Sequence, residues 1–272
     1  MRAWLNGALL SAADEPALSV LDHGVTVGDG AFETIKVVDG VPFALTRHLD
    51  RMARSLTGLG LVPPDDRWLR EGVAAVLDGQ SGDLRMRLTV TGGPAPLGSE
   101  RGDSGPTVAI VTAPLGDLPA STAVATVPWP RNERGALSGL KTTSYAENVI
   151  ALARAKQAGA SEAVFANTVG QLCEGTGSNV FYVVDGQLRT PTLDSGCLAG
   201  VTRALVVDWC GAVEVDEPIE VIVRASEVFL ASTTRDVQGV SHWDGRELPA
   251  PGPVTAAARS TWAAREAEHI DP

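Results

Sequence analysis

The chain has 272 residues and a formal net charge of −11 at pH 7. A chain of this length can bury a core without disulfides or a structural zinc, and it corresponds to one large domain or two modest ones. The acidic balance argues against nucleic acids and anionic membranes as partners, because both are bound through basic surfaces.

The first half of the chain alternates strand-like and helix-like segments. Strands are predicted at 31–38, 41–45, 84–91 and 107–113. The Asp39-Gly40 pair is typical of a tight hairpin turn. Apolar residues recur at helical spacing after Thr46 and after Asp65 or Asp66, which predicts that helices are capped at these positions. The connection at 92–106 is rich in Gly, Pro and Ser, and loops of this length are often functional.

The second half repeats the mixed pattern after a change of composition at 114–119. We therefore predict an N-terminal α/β domain at 1–115, a connection at 116–128 and a C-terminal α/β domain at 129–272. Strands are predicted at 163–166, 179–184 and 228–232, with a hairpin turn at Asp185-Gly186. Helices are predicted after the capping-box sequence Ser144-Tyr145-Ala146-Glu147, at Gly200-Val201-Thr202 and after Pro253.

Cysteines, histidines and apolar runs indicate the compartment and the chemistry. Cys173, Cys197 and Cys210 are an odd, scattered set, so we expect buried thiols in a reduced, cytoplasmic protein. The N-terminus lacks the apolar segment of a signal peptide, and no run reaches the roughly 18 apolar residues that span a membrane. The four histidines match no metal-binding spacing, and we predict no metal site.

Three positions carry candidate chemistry, although each also has an ordinary structural explanation. Lys141 lies just before the predicted cap at Ser144, where a solvated loop lysine is common. Glu174 lies in a turn of small residues before a strand and is equally compatible with a plain turn carboxylate. Gly200 begins a predicted helix, whose unpaired N–H groups and positive dipole end suit a phosphate.

Six motifs in this order resemble the class IV aminotransferase family, the fold-type IV enzymes that use pyridoxal 5′-phosphate (PLP). They are Gly28-Asp29-Gly30-Ala31-Phe32-Glu33-Thr34, His48-Leu49-Asp50-Arg51-Met52, Leu140-Lys141-Thr142-Thr143, Glu174-Gly175-Thr176-Gly177-Ser178-Asn179-Val180-Phe181, Gly200-Val201-Thr202-Arg203 and Ser232-Thr233-Thr234. The resemblance extends from Trp4 to the region of Pro253. It implies a two-domain α/β fold of the α+β type, PLP in the interdomain cleft, a homodimer and a small-molecule amine substrate.

The resemblance also assigns roles around the cofactor. Lys141 matches the lysine that forms a Schiff base with PLP and moves the substrate proton. Glu174 matches the carboxylate that keeps the pyridine nitrogen protonated. Arg51 matches the arginine that binds the phosphate, where a planar guanidinium suits two parallel hydrogen bonds. The further cofactor contacts implied are Tyr145, Leu198, Val201, Thr202, Ser232 and Thr233.

Differences from the family motifs rank the possible reactions. Phe32-Glu33-Thr34-Ile35-Lys36 replaces the Phe-Glu-Gly-Ile-Arg typical of branched-chain enzymes. Val90-Thr91-Gly92-Gly93 lacks the arginine with which D-amino-acid transaminases hold the substrate carboxylate, which would weaken that binding. The resemblance therefore favours aminodeoxychorismate lyase, which forms 4-aminobenzoate and pyruvate from 4-amino-4-deoxychorismate in folate biosynthesis. A transaminase of branched-chain, D- or other amines is the alternative, followed by a catalytically silent PLP-binding protein.

The substrate of such a lyase carries two carboxylates, so arginines near the pocket are candidates to bind it. By analogy with the family, the loops at 92–106 and 129–135 are expected to form the walls of that pocket. The candidate substrate residues are Thr34, Arg87, Arg131, Arg134 and Arg235.

Overall fold

The computed structural model describes all 272 residues of the chain. Their contacts divide the chain into two compact units. Unit 1 contains Met1–Gly116, Leu140–Tyr145 and Ile270–Pro272, and unit 2 contains Asp117–Gly139 and Ala146–His269. Each unit has its own β-sheet covered by helices, which confirms the predicted α/β class.

Unit 1 is built on a six-stranded antiparallel sheet in the order β2-β1-β6-β5-β3-β4. Its strands are β1 (Arg2–Leu5), β2 (Ala8–Leu9), β3 (Gly30–Val38), β4 (Val41–Pro42), β5 (Leu84–Thr91) and β6 (Thr107–Pro114). Its helices are α1 (His23–Thr26), α2 (Leu45–Gly58) and α3 (Asp66–Leu77). Alternate residues of β3 and β5, such as Ile35 and Met86, point into one core with apolar residues of α2 and α3.

Two predicted features at the start of α2 differ from the structure. The predicted strand at 41–45 shortens to Val41–Pro42, because α2 already begins at Leu45. Thr46 is not the cap but lies in the first turn, where its N–H and hydroxyl both donate to the Asp271 carboxylate, at 2.9 and 2.6 Å. The N–H group of Thr46 in the first turn of α2 is thus satisfied by a side chain that is distant in sequence. By contrast, Asp65 caps α3 as predicted and accepts from the Trp68 N–H at 3.0 Å.

Unit 2 is built on a nine-stranded mixed sheet in the order β12-β11-β10-β13-β14-β7-β8-β9, with β15 paired to β14. Its strands are β7 (Ser121–Thr126), β8 (Glu162–Ala166), β9 (Leu172–Gly175), β10 (Asn179–Val184), β11 (Gln187–Thr190), β12 (Val213–Glu214), β13 (Glu227–Ser232), β14 (Asp236–Trp243) and β15 (Arg246–Glu247). Its helices are α4 (Ala146–Gln157), α5 (Val201–Cys210) and α6 (Pro253–Glu268), with 3₁₀ turns at Leu193–Ser195 and Ile219–Arg224.

Two hairpins keep the turn geometry that the sequence predicts. Asp39 and Gly40 have φ of 47° and 82°, and Asp185 and Gly186 have φ of 53° and 77°. Positive φ at both central positions is the type I′ geometry, which Asp-Gly favours. The second turn joins β10 to β11, and β10 is buried along its whole length.

Two predicted boundaries in the middle of the chain differ from the structure. The predicted connection at 116–128 contains β7, which lies inside the sheet of unit 2, and the predicted C-terminal domain includes Leu140–Tyr145, which belong to unit 1. The predicted cap Ser144 also lies before the start of α4, and its hydroxyl donates to the Gly28 carbonyl at 3.0 Å.

None of the helices combines the length and the apolar character that crossing a membrane requires.

Candidate active site

In unit 1, the backbone of Lys141 is held by both the sheet and a helix. Its carbonyl accepts from the Phe32 N–H at 3.0 Å, and its own N–H donates to the Ser55 hydroxyl of α2 at 3.1 Å. The next residue, Thr142, forms an antiparallel bridge with Ala31 at the start of β3. The loop that carries Lys141 therefore runs along the edge of β3, which fixes where its side chain begins.

The Lys141 amine lies among aromatic rings. Its Nζ is 4.3 Å from the centroid of the Phe32 ring and 6.0 Å from that of Tyr145, and the two rings meet edge to face. The Arg87 guanidinium carbon lies 3.2 Å from the Phe32 centroid, and Thr34 pairs with Arg87 across β3 and β5. Desolvation lowers the pKa of Arg87 to about 10, so the guanidinium is still charged at neutral pH. The structure thus brings four predicted site residues together around Phe32, a residue that the predicted set omits.

The turn before β3 is tied both to the Lys141 segment and to the loop at 92–106. The Gly28 carbonyl accepts from the hydroxyl of Thr143 at 2.7 Å, and the Gly30 carbonyl accepts from the Thr143 N–H at 2.8 Å. Between the two glycines, Asp29 accepts two hydrogen bonds of 2.7 Å from Arg101, which lower the pKa of this carboxyl. The loop at 92–106 therefore stabilises the turn at 28–30, and this turn contacts the segment that carries Lys141.

Arg51 is buried on α2 and forms an ion pair with Glu33 of β3. Its Nε and Nη2 donate to the two carboxylate oxygens at 2.7 and 2.6 Å, and His48 Nδ1 lies 2.7 Å from Oε2. Burial alone would raise the pKa of Glu33, but the charge and hydrogen bonds of Arg51, with the bond to His48, outweigh it and lower the pKa to about 2. Binding of a phosphate by Arg51 stays a prediction. Glu33 and His48 both lie inside the family motifs. The sequence therefore indicates that these residues are important, but it does not indicate which residues they contact.

In unit 2, Glu174 lies at the end of β9 with both of its oxygens engaged. Arg131 Nε is 3.2 Å from Oε1, and the Leu198 N–H donates to Oε2 at 2.9 Å. Arg131 also donates to Asn148 at 2.6 Å and stacks on Phe165, with 4.2 Å between guanidinium carbon and ring centroid. The structure therefore places Arg131, which the sequence suggests for substrate, as the ion-pair partner of Glu174.

The N-terminus of α5 has the features of an anion site. The first N–H groups of a helix have no partner within it, and here they belong to the buried Val201 and Thr202. At Gly200 a side chain is excluded, because a Cβ there would overlap Asn179 Oδ1. Asn179 in turn donates to the Leu198 carbonyl at 3.0 Å, which fixes the approach to the helix.

Ser232 is the last residue of β13 and Thr233 follows it, and both residues are partly exposed. The remaining candidate arginines lie in different surroundings. Arg235 lies 3.3 Å from the buried Glu162 carboxylate and also donates to Gln238. Arg134 is exposed and pairs loosely with Glu133 at 3.5 Å, and this surface position leaves it no link to the other candidates.

Cys173 and Cys197 are buried near Glu174, as predicted for small core thiols, whereas Cys210 is only half-buried. Burial raises the pKa of Cys173, and it raises that of Cys197 to about 11. Both thiols are therefore protonated and unreactive at neutral pH.

This donor set fits a phosphorylated pyridine aldehyde. An amine on a fixed backbone suits covalent attachment, an oriented carboxylate suits a protonated ring nitrogen, and a glycine-started helix with nearby hydroxyls suits a phosphate. These are the kinds of group with which PLP-dependent enzymes hold their cofactor.

The comparisons with known proteins agree. The sequence model of amino-transferase class IV matches residues 30–243. The chain therefore belongs to the class IV aminotransferase family, whose members are PLP-dependent enzymes.

Several relatives match along almost the whole chain. A putative branched-chain-amino-acid aminotransferase of Methanocaldococcus jannaschii is 33% identical over 91% of this chain and 90% of its own length. The crystal structure of a branched-chain aminotransferase of Thermoproteus uzoniensis with norvaline has a TM-score of 0.90, is 29% identical, and covers 97% of this chain and 93% of its own.

Enzymes of the two other reactions also match. A D-alanine aminotransferase of Bacillus licheniformis is 29% identical, covering 94% of this chain and 93% of its own. An aminodeoxychorismate lyase of Bacillus subtilis is 26% identical, covering 86% of this chain and 84% of its own. The order of identities favours a transaminase over the lyase that the motif differences rank first.

Proposed function

We propose that this chain is a PLP-dependent transaminase of amino acids, and that branched-chain amino acids are its first substrates to test. The observation that carries the proposal is the near full-length match to branched-chain aminotransferases in both sequence and fold. The lyase is the second candidate, supported by the missing arginine in Val90-Thr91-Gly92-Gly93 and by the lyase relative.

In this proposal each candidate residue has a distinct role in the reaction. Lys141 Nζ attaches the cofactor and carries the substrate proton, and Glu174 with Arg131 keeps the ring nitrogen protonated. Val201, Thr202, Ser232 and Thr233 bind the phosphate, with Arg51 as a further phosphate ligand, while Tyr145 and Leu198 complete the cofactor contacts. When bound, PLP supplies a pyridine ring that withdraws electrons from the substrate bond that is broken.

The arginines also favour a transaminase over a lyase. Arg87 stacks on Phe32 beside Lys141 Nζ, and we assign it to a substrate carboxylate. Of the other predicted substrate arginines, Arg131 is engaged by Glu174 and Arg235 by Glu162, and Arg134 is exposed beside Glu133. A substrate with two carboxylates needs two such cations, whereas a branched-chain amino acid needs one.

The protein in this proposal is also a cytoplasmic homodimer. Exposed apolar side chains gather in the segment before β3, where Leu18, Val20 and Val25 are 54%, 81% and 63% exposed. Burial of such side chains stabilises association, because it removes apolar area from water. A molar mass near twice that of the chain by light scattering would support the homodimer, and a monomer at micromolar concentration would contradict it.

Product analysis tests the reaction. The protein with PLP is incubated with L-leucine or D-alanine and a 2-oxo acid acceptor, and separately with 4-amino-4-deoxychorismate and no acceptor. We expect the 2-oxo acid of leucine in the first mixture. Pyruvate and 4-aminobenzoate in the last mixture, with no product from either amino acid, would replace the transaminase by the lyase.

A further inference from the structure

Glu162 is a buried carboxylate in unit 2 that holds the turn after Glu174. Its side chain is 3% exposed. Oε1 accepts from the Thr176 N–H at 3.0 Å and from the Thr176 hydroxyl, and Oε2 accepts from the Ser178 hydroxyl at 3.2 Å. These bonds tie the first residue of β8 to the turn between β9 and β10. That turn begins directly after β9, the strand that carries Glu174, the proposed partner of the pyridine nitrogen.

The same carboxylate also reaches the turn after β13. Glu162 Oε2 lies 3.3 Å from Arg235 Nη2. The backbone N–H of Arg235 donates to the Ser232 carbonyl at 3.1 Å, so Arg235 belongs to the turn that presents Ser232 and Thr233. Gln238 accepts a second hydrogen bond from the Arg235 guanidinium and donates to the Pro119 carbonyl at 2.7 Å. One ion pair therefore links the two turns by side-chain contacts.

We propose that the Glu162–Arg235 ion pair sets the spacing between Glu174 and the hydroxyl residues Ser232 and Thr233, and that it thereby determines how tightly PLP is held. The inference rests on the proposed binding of PLP by these residues. The pyridine ring of PLP is rigid and its phosphate is joined to the ring by a short CH2–O linker, so the groups that bind the nitrogen and the phosphate must lie within a narrow range of separations. A displacement of about 1 Å in such a set costs up to about a hundredfold in function.

In this role Arg235 is a positioning residue and contacts neither substrate nor phosphate. The sequence-based expectation that Arg235 binds a substrate carboxylate is the main rival. A direct contact with the PLP phosphate is the second rival, and a purely structural role in unit 2 is the third. Each predicts a different pattern of affinities.

Arg235→Gln and the double variant with Glu162→Gln test the proposal, because the double variant leaves no unpaired buried charge. Arg235→Lys keeps the charge, and Arg224→Gln is the control, since it removes an exposed arginine of unit 2 that pairs with a glutamate. Three quantities are measured: the Kd of PLP for the apoprotein, the inhibition of PLP binding by inorganic phosphate, and the KM for L-leucine. The melting temperature of the apoprotein is recorded for every variant.

We expect the Kd of PLP to rise about tenfold in Arg235→Gln and in the double variant, and to recover partly in Arg235→Lys. The inhibition constant of inorganic phosphate stays within about twofold of wild type, because a free phosphate needs only one of the two turns. The KM for L-leucine at saturating PLP also stays within about twofold, and Arg224→Gln changes none of these quantities.

Several results would overturn the proposal. Equal weakening of PLP and phosphate binding would make Arg235 a phosphate ligand, and a raised KM with unchanged PLP affinity would make it a substrate residue. A lowered melting temperature with unchanged PLP affinity would leave only a structural role. If wild type binds PLP but does not transaminate, the proposed reaction fails and the affinity pattern still decides this inference. If wild type does not bind PLP, both fail.

Discussion

Arg51 Nε and Nη2 donate to the two carboxylate oxygens of Glu33 at 2.7 and 2.6 Å, and both side chains are buried. The pair joins α2 to β3 one residue from Phe32, whose ring contacts the Lys141 amine. The geometry of the lysine therefore depends on a charge pair that the solvent does not reach.

Glu33→Gln is expected to destabilise the protein strongly, because it leaves the buried Arg51 without its counter-charge. Breaking one side of a buried pair costs about 3–5 kcal/mol in the free energy of unfolding. Asp66→Asn is the matched control, since Asp66 pairs with Arg70 at the surface and such a pair contributes at most about 1 kcal/mol. Urea unfolding at pH 7 measures both, and equal losses for the two variants would contradict this role of Glu33.

The same carboxylate makes stability depend on pH below neutrality. The pKa of Glu33 is about 2 in the folded protein against its ordinary value of 4.5, so the unfolded chain takes up its proton first as pH falls. The stability from Glu33 is fully present above pH 4.5 and is lost progressively towards pH 2. We expect the difference in unfolding free energy between wild type and Glu33→Gln to be constant above pH 5 and to shrink below pH 4. A constant difference down to pH 2.5 would contradict the assignment.

Arg87→Gln is expected to raise the KM for amino acids about ten- to a hundredfold, because a hydrogen bond between charged groups contributes about 1.5–3 kcal/mol. The affinity for PLP is expected to stay unchanged. Arg85→Gln is the control, since Arg85 is an equally exposed arginine of the same strand that pairs with Lys36 instead of Thr34. Steady-state kinetics separate KM from kcat, and an unchanged KM in Arg87→Gln would remove Arg87 from substrate binding.

Gly200→Ala is expected to weaken PLP binding, because the new Cβ overlaps Asn179 Oδ1 and displaces the N-terminus of α5. The second substitution Asn179→Ala removes the overlapping atom and is expected to restore part of the affinity. PLP titration of the two apoproteins measures the effect. Unchanged affinity in Gly200→Ala would mean that this helix start does not bind the phosphate.

The sequence predicts elements well where a local pattern is sufficient. Strand β5 has the predicted bounds, because one face of it alternates into the core, and both Asp-Gly turns have the predicted geometry. Prediction fails where residues that are distant in sequence determine where an element begins or which unit a segment joins. The start of α2 depends on Asp271, which follows it by 225 residues, and the return of Leu140–Tyr145 to unit 1 depends on pairing with β3.

The candidate site likewise contains residues that a local pattern predicts and contacts that only the fold determines. Motif order predicts cofactor contacts for Lys141, Glu174 and the start of α5, because each of these motifs is local in sequence. Partners are not local, so Arg131 and Arg235 were expected at the substrate whereas they pair with Glu174 and Glu162. An arginine's charge is visible in a sequence, but the carboxylate that it meets depends on the fold.

A single-turnover experiment tests most directly whether Lys141 carries a transamination. The chain has three lysines, Lys36, Lys141 and Lys156, and Lys156 is exposed on α4, so Lys156→Ala is a matched control. The PLP-loaded proteins are mixed with L-leucine without any acceptor, and the 2-oxo acid is counted per protein chain. We expect about one equivalent from wild type and from Lys156→Ala and none from Lys141→Ala, because only Lys141 carries the proton. An undiminished yield from Lys141→Ala, or no 2-oxo acid from PLP-bound wild type with any amino acid, would contradict the account.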